Sequence, residues 1–251
     1  MKLLRQAARR IARVTGNSPA IHHALRRGFL SLPPWLRGEQ MIHDHLRKLV
    51  RTRRDHTFVV VGANDGITND PIHPFARKYQ WRGVLIEPVP MYYEQLVENS
   101  RGLAVKAVNV AVHATLRMMP FHYLEDDPGS PLPAFARGLG SFDRAKVLSS
   151  AAEIQGVEDR LRQIQVPCRR LDEIVAESQM STVNIVVIDA EGYDHEIVPQ
   201  IRFDEWTTHT VIFEHKHLPA GALEGVLRTL TARGFQCRRD KYDVLASRDA
   251  Q

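Results

Sequence analysis

The chain has little of what braces a secreted or zinc-clamped fold. Its only cysteines are Cys168 and Cys237. They supply neither a disulfide framework nor a zinc spacing, and they fit a reducing compartment. No stretch approaches the ~18 to 20 apolar residues that a bilayer-spanning helix needs. The opening MKLLRQAARRIARV is interrupted by arginine too often for the apolar core of a secretory leader, so a cytoplasmic location is expected. Two phosphate-binding signatures are also missing. Neither GxxxxGK[ST] nor G-x-G-x-x-G occurs, which argues against a ligand held through a triphosphate or pyrophosphate. There is no internal repeat.

What is present suits one α/β domain with additional helices. Hydrophobic residues make up 43% and charged residues 25%, the balance of an ordinary globular protein. The net charge of +5 is unevenly placed: residues 1–55 hold thirteen basic side chains against three acids, an excess of +10, which leaves −5 on the remainder. Within this basic segment Leu3, Leu4, Ala7, Ala8, Ile11 and Val14 recur at helical spacing, Pro33 and Pro34 break the pattern, and a second helix is expected from about Gly38 to Arg51. The apolar stripes need a partner surface. The expectation is a helical extension over 1–55 packed on the main domain or on a second copy of the chain as a homodimer, with a membrane-surface helix as the alternative. No aromatic interleaving or binding motif supports nucleic acid as a partner.

From residue 56 onward strands and helices alternate, which predicts a doubly wound, mostly parallel sheet. FVVV (58–61), GVLIEP (83–88), LAVKAVNVAV (103–112), LRMMPFHYL (116–124), VPCRR (166–170), NIVVID (184–189) and HTVIFEHKHL (209–218) read as strands. Helices are expected over about 70–80, 92–99, 171–177 and 220–233, and FQCRRD with YDVLAS as a closing hairpin. Residues 125–141 form a proline- and glycine-rich loop of the length usually reserved for function. Its expected role is a lid, with Asp126 and Asp127 facing a sugar and Ser141 and Phe142 closing over a cofactor.

The segment TFVVVGANDGITNDP (57–71) ends a buried strand on glycine. In open α/β sheets ligands bind beyond the carboxyl ends of the strands, where strand order reverses. Gly62, Ala63, Asn64, Asp65 and Gly66 occupy that place, and glycine lets the backbone come close to a ligand. The next strand ends on Glu87, whose carboxylate suits two ribose hydroxyls at about the ~20-residue separation of a nucleoside-binding βαβ unit. A nucleoside without phosphates fits, and S-adenosylmethionine is the expected ligand.

The ordered segments VGANDGITNDP, YQWRGVLIEPVPMYYEQL, LGSFDRAKV, VPCRRLDEI, IDAEGYDHEI and FEHKHL resemble the FkbM family of S-adenosylmethionine-dependent methyltransferases over about residues 57–246. The resemblance implies a Rossmann-like class I methyltransferase fold, a seven-stranded sheet whose last strand is antiparallel, and O-methylation of a sugar, oligosaccharide, glycolipid or related metabolite. It places the cofactor on Gly62, Asn64, Gly66 and Glu87 with neighbouring Pro88, and at the third strand end on Asn109 and Ala111. Ser141 joins them from the LGSF segment. Asp189 and Glu191 match its D-x-E-G signature. Val187 stands where many members carry a polar or basic residue.

A sugar hydroxyl is a weak nucleophile at neutral pH and gains from a general base. Asp189, Glu191, His215 and His217 are the candidates, and strand alternation would set both histidines on one face and Glu214 on the other. The spacing carries no compact metal signature, so no metal ligand is assigned. Mg²⁺ or a softer ion held by Asp189, Glu214 and His215 is the competing account. The alternative to an enzyme is a non-catalytic interaction protein docked through its basic N-terminus.

Overall fold

The structure is a computed structural model that describes residues 40–127 and 129–249. The stripe from Leu3 to Val14, and the dimer or membrane contacts expected of it, lie outside these residues.

In chain order the first half comprises α1 (Gln40–Thr52), β1 (Thr57–Val61), α2 (His73–Tyr79), β2 (Arg82–Ile86), α3 (Pro90–Asn99) and β3 (Val105–Val108). A middle region follows with β4 (Ala111–Val112), β5 (Met118–Leu124), β6 (Gly140–Ser141), α4 (Arg144–Ser150), α5 (Val157–Arg160), β7 (Leu161–Arg169) and α6 (Leu171–Glu177). The chain then forms β8 (Ile185–Ile188), α7 (Asp194–Ile197), β9 (Thr210–Glu214), α8 (Ala222–Thr231), β10 (Gln236–Arg239) and β11 (Asp243–Ser247).

Seven strands form one sheet in the order β10-β11-β9-β8-β1-β2-β3. The five from β9 to β3 run parallel, and β11 lies antiparallel between β9 and β10. This is the class I methyltransferase arrangement. Alternation along each strand sorts side chains between two cores. Val59, Val61, Val84, Ile86, Val186, Ile188 and Phe213 face one layer with Leu171, Ile174, Val226 and Leu230. Phe58, Val60, Leu85, Ile185, Val187, Ile212 and Leu245 face the other with Ile42, Leu46, Phe75, Trp81 and Leu96. Both faces are covered, which explains why these strands read as unbroken apolar runs.

Two readings of the sequence need correction. The run 103–112 is not one strand: it leaves the main sheet after Val108, and Ala111 and Val112 restart beside β7. The segment 116–124 does not join the main sheet either. It forms β5, antiparallel to β7 from Met118 to Leu124, in a separate four-stranded sheet ordered β4-β7-β5-β6. A polar Asn109 at the break explains the first departure, because its side-chain amide donates to the carbonyls of Glu87 and Pro88 and bends the chain around the end of β2.

The described end of the basic segment, α1, contributes to the core. Ile42 and Leu46 of α1 are buried against Phe58, Phe75 and Trp81, and His45 Nε2 lies 2.9 Å from Thr210 Oγ1 at the start of β9. Leu46 is fully buried. Leu46→Ala is expected to lower unfolding free energy by about 2 to 5 kcal/mol, the range for a buried leucine truncated to alanine, measured by urea denaturation. A change within about 0.5 kcal/mol would be that of a surface position.

Candidate functional site

The parallel strands end level. Val61 pairs with Ile86 on one side and Ile188 on the other, Ile86 with Val108, and Ile188 with Phe213. The next residues therefore stand in a row across the sheet edge: Asn109, Glu87, Gly62, Asp189 and Glu214. Adjacent strands are about 4.8 Å apart, so Glu87 and Asp189 flank Gly62 at about 10 Å from one another. Strand order reverses between β1 and β8, so this row lies at the topological switch point.

Gly62 is required by space as well as by angle. Its φ is +76°, and a Cβ there would lie 1.9 Å from the Asp189 carbonyl oxygen. Asn64 also takes a positive φ, of 50°. Glu87 then fixes the loop: Oε2 accepts from the Asn64 amide at 2.9 Å and Oε1 from the Val89 amide at 2.9 Å. Asp65 builds the following turn, accepting from the amides of Ile67 and Thr68 and from the Thr68 hydroxyl. Ala63 is buried in the core, and Gly66 is pressed against Leu96, where a Cβ would lie 2.5 Å from Cδ1. Pro88 is half-buried, with its carbonyl taken by Asn109. Ala111 packs with Val89, Tyr92, Phe121, Val166 and Cys168, so its side chain is a core contact.

The loop 125–141 comes down on this turn. Gly138, at φ +86°, abuts the Asn64 side chain, where a Cβ would fall 2.0 Å from Nδ2, and its amide donates to the Tyr92 hydroxyl at 3.0 Å. Asp126 is committed to the loop itself, pairing with Arg137 at 2.9 Å and accepting from the Leu132 amide, while Asp127 accepts from the Gly129 amide. Ser141 is buried in β6, and its hydroxyl accepts from the Asp143 amide at 3.2 Å. Phe142 meets Tyr193 edge-on at 5.2 Å, and Tyr193 stacks on His113 at 5.3 Å. These rings come from the residues just past β6, β8 and β4.

On the other side of Gly62 the chain gathers acids. Asp189 has an exposed surface although protein surrounds it closely, as expected for a group on the floor of a cleft. That enclosure raises its pKa. Glu191, held at φ 48°, turns toward Glu214 and His217. Burial and then repulsion from Asp189 push both Glu191 and Glu214 above the usual carboxylate range. Asp194, fully buried, is raised to about 7 chiefly by burial. Burial lowers His217 to about 4, helped by Lys216 and Lys146, so its ring is neutral.

The expected pairing of the histidines does not occur. β9 ends at Glu214, so alternation stops there, and residues 215–217 turn. His217 comes back to 3.8 Å from Glu214 Oε2 and 3.6 Å from Glu191 Oε2. His215 is carried away to the β10–β11 hairpin, with Nε2 3.2 Å from the Asp240 carbonyl oxygen. The ligand set Asp189, Glu214 and His215 is therefore not brought together.

The chain matches the family profile described as "Methyltransferase FkbM domain" over residues 61–237. It belongs to the FkbM methyltransferase family. None of the curated protein sequences compared with it matches. Distant likenesses to solved structures include a methyltransferase FkbM from Methylobacillus flagellatus KT, at 13% identity over 77% of this chain and 44% of that one, with a TM-score of 0.45. A precorrin-6y C5,15-methyltransferase from Geobacter metallireducens GS-15 matches at 11% identity over 84% and 89%, TM-score 0.40. A fibrillarin from Aeropyrum pernix, solved with natively bound S-adenosyl-L-methionine, matches at 10% identity over 82% and 74%, TM-score 0.41.

Two residues of this FkbM methyltransferase's cleft escaped the sequence reading. Lys146 of α4 reaches across to donate to the His217 carbonyl at 2.7 Å. Asp194 accepts from the Gly192 amide at 3.0 Å and so shapes the turn that carries Glu191. Asp194 stands within the IDAEGYD segment and Lys146 within LGSFDRAKV, but no spacing rule assigns either of them a partner.

Glu87 generates a prediction. Burial raises its pKa from 4.5 to about 7, against the lowering effect of its two amide hydrogen bonds. The folded state therefore holds the proton more tightly than the unfolded chain. The resulting penalty is absent below pH 4.5, grows as pH rises, and is complete above about 7. Without cofactor, stability should fall between pH 5 and 8, and Glu87→Gln should remove up to about 3 kcal/mol of that fall. Parallel pH profiles of urea unfolding for parent and variant would contradict this.

Proposed function

We propose that this FkbM-family methyltransferase transfers the methyl group of S-adenosylmethionine to a hydroxyl of a carbohydrate or related metabolite. The observation that carries the proposal is the row Glu87–Gly62–Asp189 at the switch point. The residues fit the cofactor. An ionised carboxylate has about four acceptor positions, and Glu87 spends one on each of two amides. Positions remain for the two ribose hydroxyls. Gly62 lets β1 close on the Asp189 main chain, so that Glu87 and Asp189 stand on either side of it. The Gly138 contact on Asn64 brings the 125–141 loop down beside that place.

Bound there, S-adenosylmethionine supplies an electrophilic methyl on a sulfonium. Asp189 is the group on the other side of Gly62 with an exposed surface, and its raised pKa makes it a stronger proton acceptor than an ordinary aspartate. In this reading the Asp189 carboxylate would accept the hydroxyl proton that the acceptor loses when the methyl group leaves the sulfonium, as a thioether, for the acceptor's oxygen. Glu191, Glu214 and His217 lie behind it and set the local field. Phe142, Tyr193 and His113 give an aromatic wall of the kind on which a sugar's apolar face stacks. His215, facing the hairpin, takes no part.

Two variants test the reading. Glu87→Gln should weaken S-adenosylhomocysteine binding about tenfold or more, because a charge-assisted acceptor is lost. Asp189→Asn should keep the fold and cofactor affinity but lower kcat by about 100-fold or more, the usual size of a general-base effect. Calorimetry and a hydroxyl-acceptor screen read these out. Parental affinity in the first variant would misplace the ribose. Parental turnover in the second would exclude the carboxylate as base.

A further inference from the structure

We propose that Glu191, Glu214 and His217 form a binding site for one divalent first-row metal ion beside Asp189. The three come from separate places: the turn after β8, the last residue of β9, and the turn beyond it. Their ligand atoms nevertheless all lie within 4.8 Å of one another. His217 Nε2 is 3.6 Å from Glu191 Oε2 and 3.8 Å from Glu214 Oε2. These distances are too long for hydrogen bonds. They are close to what one ion needs, since two ligand atoms each about 2.1 Å from a metal stand about 3 to 3.4 Å apart in octahedral or tetrahedral geometry. For the two histidine–carboxylate pairs a closure of a few tenths of an ångström suffices.

A second observation is independent of that geometry. Glu191 Oε2 and Glu214 Oε2 are both shut off from solvent and have no hydrogen-bond partner among the described residues. Asp194 is wholly buried among the same acids, and its Oδ1 has no hydrogen-bond partner among the described residues either. Buried acceptors are nearly always satisfied, and an orphaned one is costly. Two orphaned carboxylate oxygens aimed at one imidazole nitrogen form a donor set without its acceptor. The frame is rigid: Gly192 takes φ +93°, and a Cβ there would lie 2.3 Å from the His217 carbonyl oxygen, which Lys146 also holds.

Two carboxylates and an imidazole suit Mn²⁺, Fe²⁺ or Zn²⁺. Three protein ligands leave positions for water or for oxygens of a substrate, where a cation orients a hydroxyl and lowers its pKa. That use rests on the methyl-transfer reading; the binding of the ion does not.

The test is a titration of the full-length protein, stripped with chelator, with Mn²⁺ followed by electron paramagnetic resonance. One ion per chain is expected. Glu214→Gln and His217→Ala should each weaken it by more than about tenfold and leave S-adenosylhomocysteine affinity within about twofold of the parent. Glu94→Gln, on the exposed side of α3, should bind Mn²⁺ as the parent does. No saturable binding, or equal binding in both ligand variants, would overturn the site. A chain that binds Mn²⁺ through these residues but no S-adenosylhomocysteine would keep the metal site and overturn the cofactor reading.

Discussion

The parallel register of β1 with β2 and β8 is the constraint on which the rest depends. It ends three strands at one level and makes the next residue of each a neighbour. Of those three residues, two are acids and the central one is a glycine. Any side chain at Gly62 would enter the Asp189 carbonyl, so β1 and β8 could not close and the acids would lose their spacing. A one-residue slip of β1 would also exchange its two apolar faces, Val59 and Val61 for Phe58 and Val60. The two hydrophobic cores therefore hold the register, and the register holds the site.

The two sides of the glycine carry different electrostatics. Glu87 has its charge partly stabilised by two main-chain amides, which offset some of the cost of its burial. Across Gly62, Asp189, Glu191, Asp194 and Glu214 crowd together; Lys216 partly offsets the rise at Asp189, Glu191 and Glu214, and Lys146 that at Glu191. Such crowding costs stability and is retained at sites that handle protons or cations. The small second sheet adds a cover to this edge, because the 125–141 loop that leads into β6 delivers Gly138 to the Asn64 turn.

The strand ends were legible because their signal is local. An apolar run, a glycine and an acid occupy consecutive positions, and the topology rule supplies their place. The convergence of Lys146, Asp194 and His217 was not legible. Lys146 and His217 are 71 residues apart, and only the folded connection through β7, α6 and β8 brings them together. The histidines show the same limit at short range. Alternation is reliable inside a strand, but β9 stops at Glu214, and the turn beyond it separates His215 from His217 and brings His217 back to Glu214. The 103–112 run failed for a related reason: its apolar residues satisfy two sheets in succession, and pattern alone does not mark the crossing at Asn109.

The central claim is that the crevice between β1 and β8 holds S-adenosylmethionine beside Asp189. A crystal structure of the full-length protein grown with S-adenosylhomocysteine tests it most directly. The account predicts the ligand's ribose hydroxyls on the Glu87 carboxylate, its adenosine over Gly62, and its sulfur on the side facing Asp189. Crystals grown at saturating ligand with density elsewhere, or with none in that crevice, would contradict it.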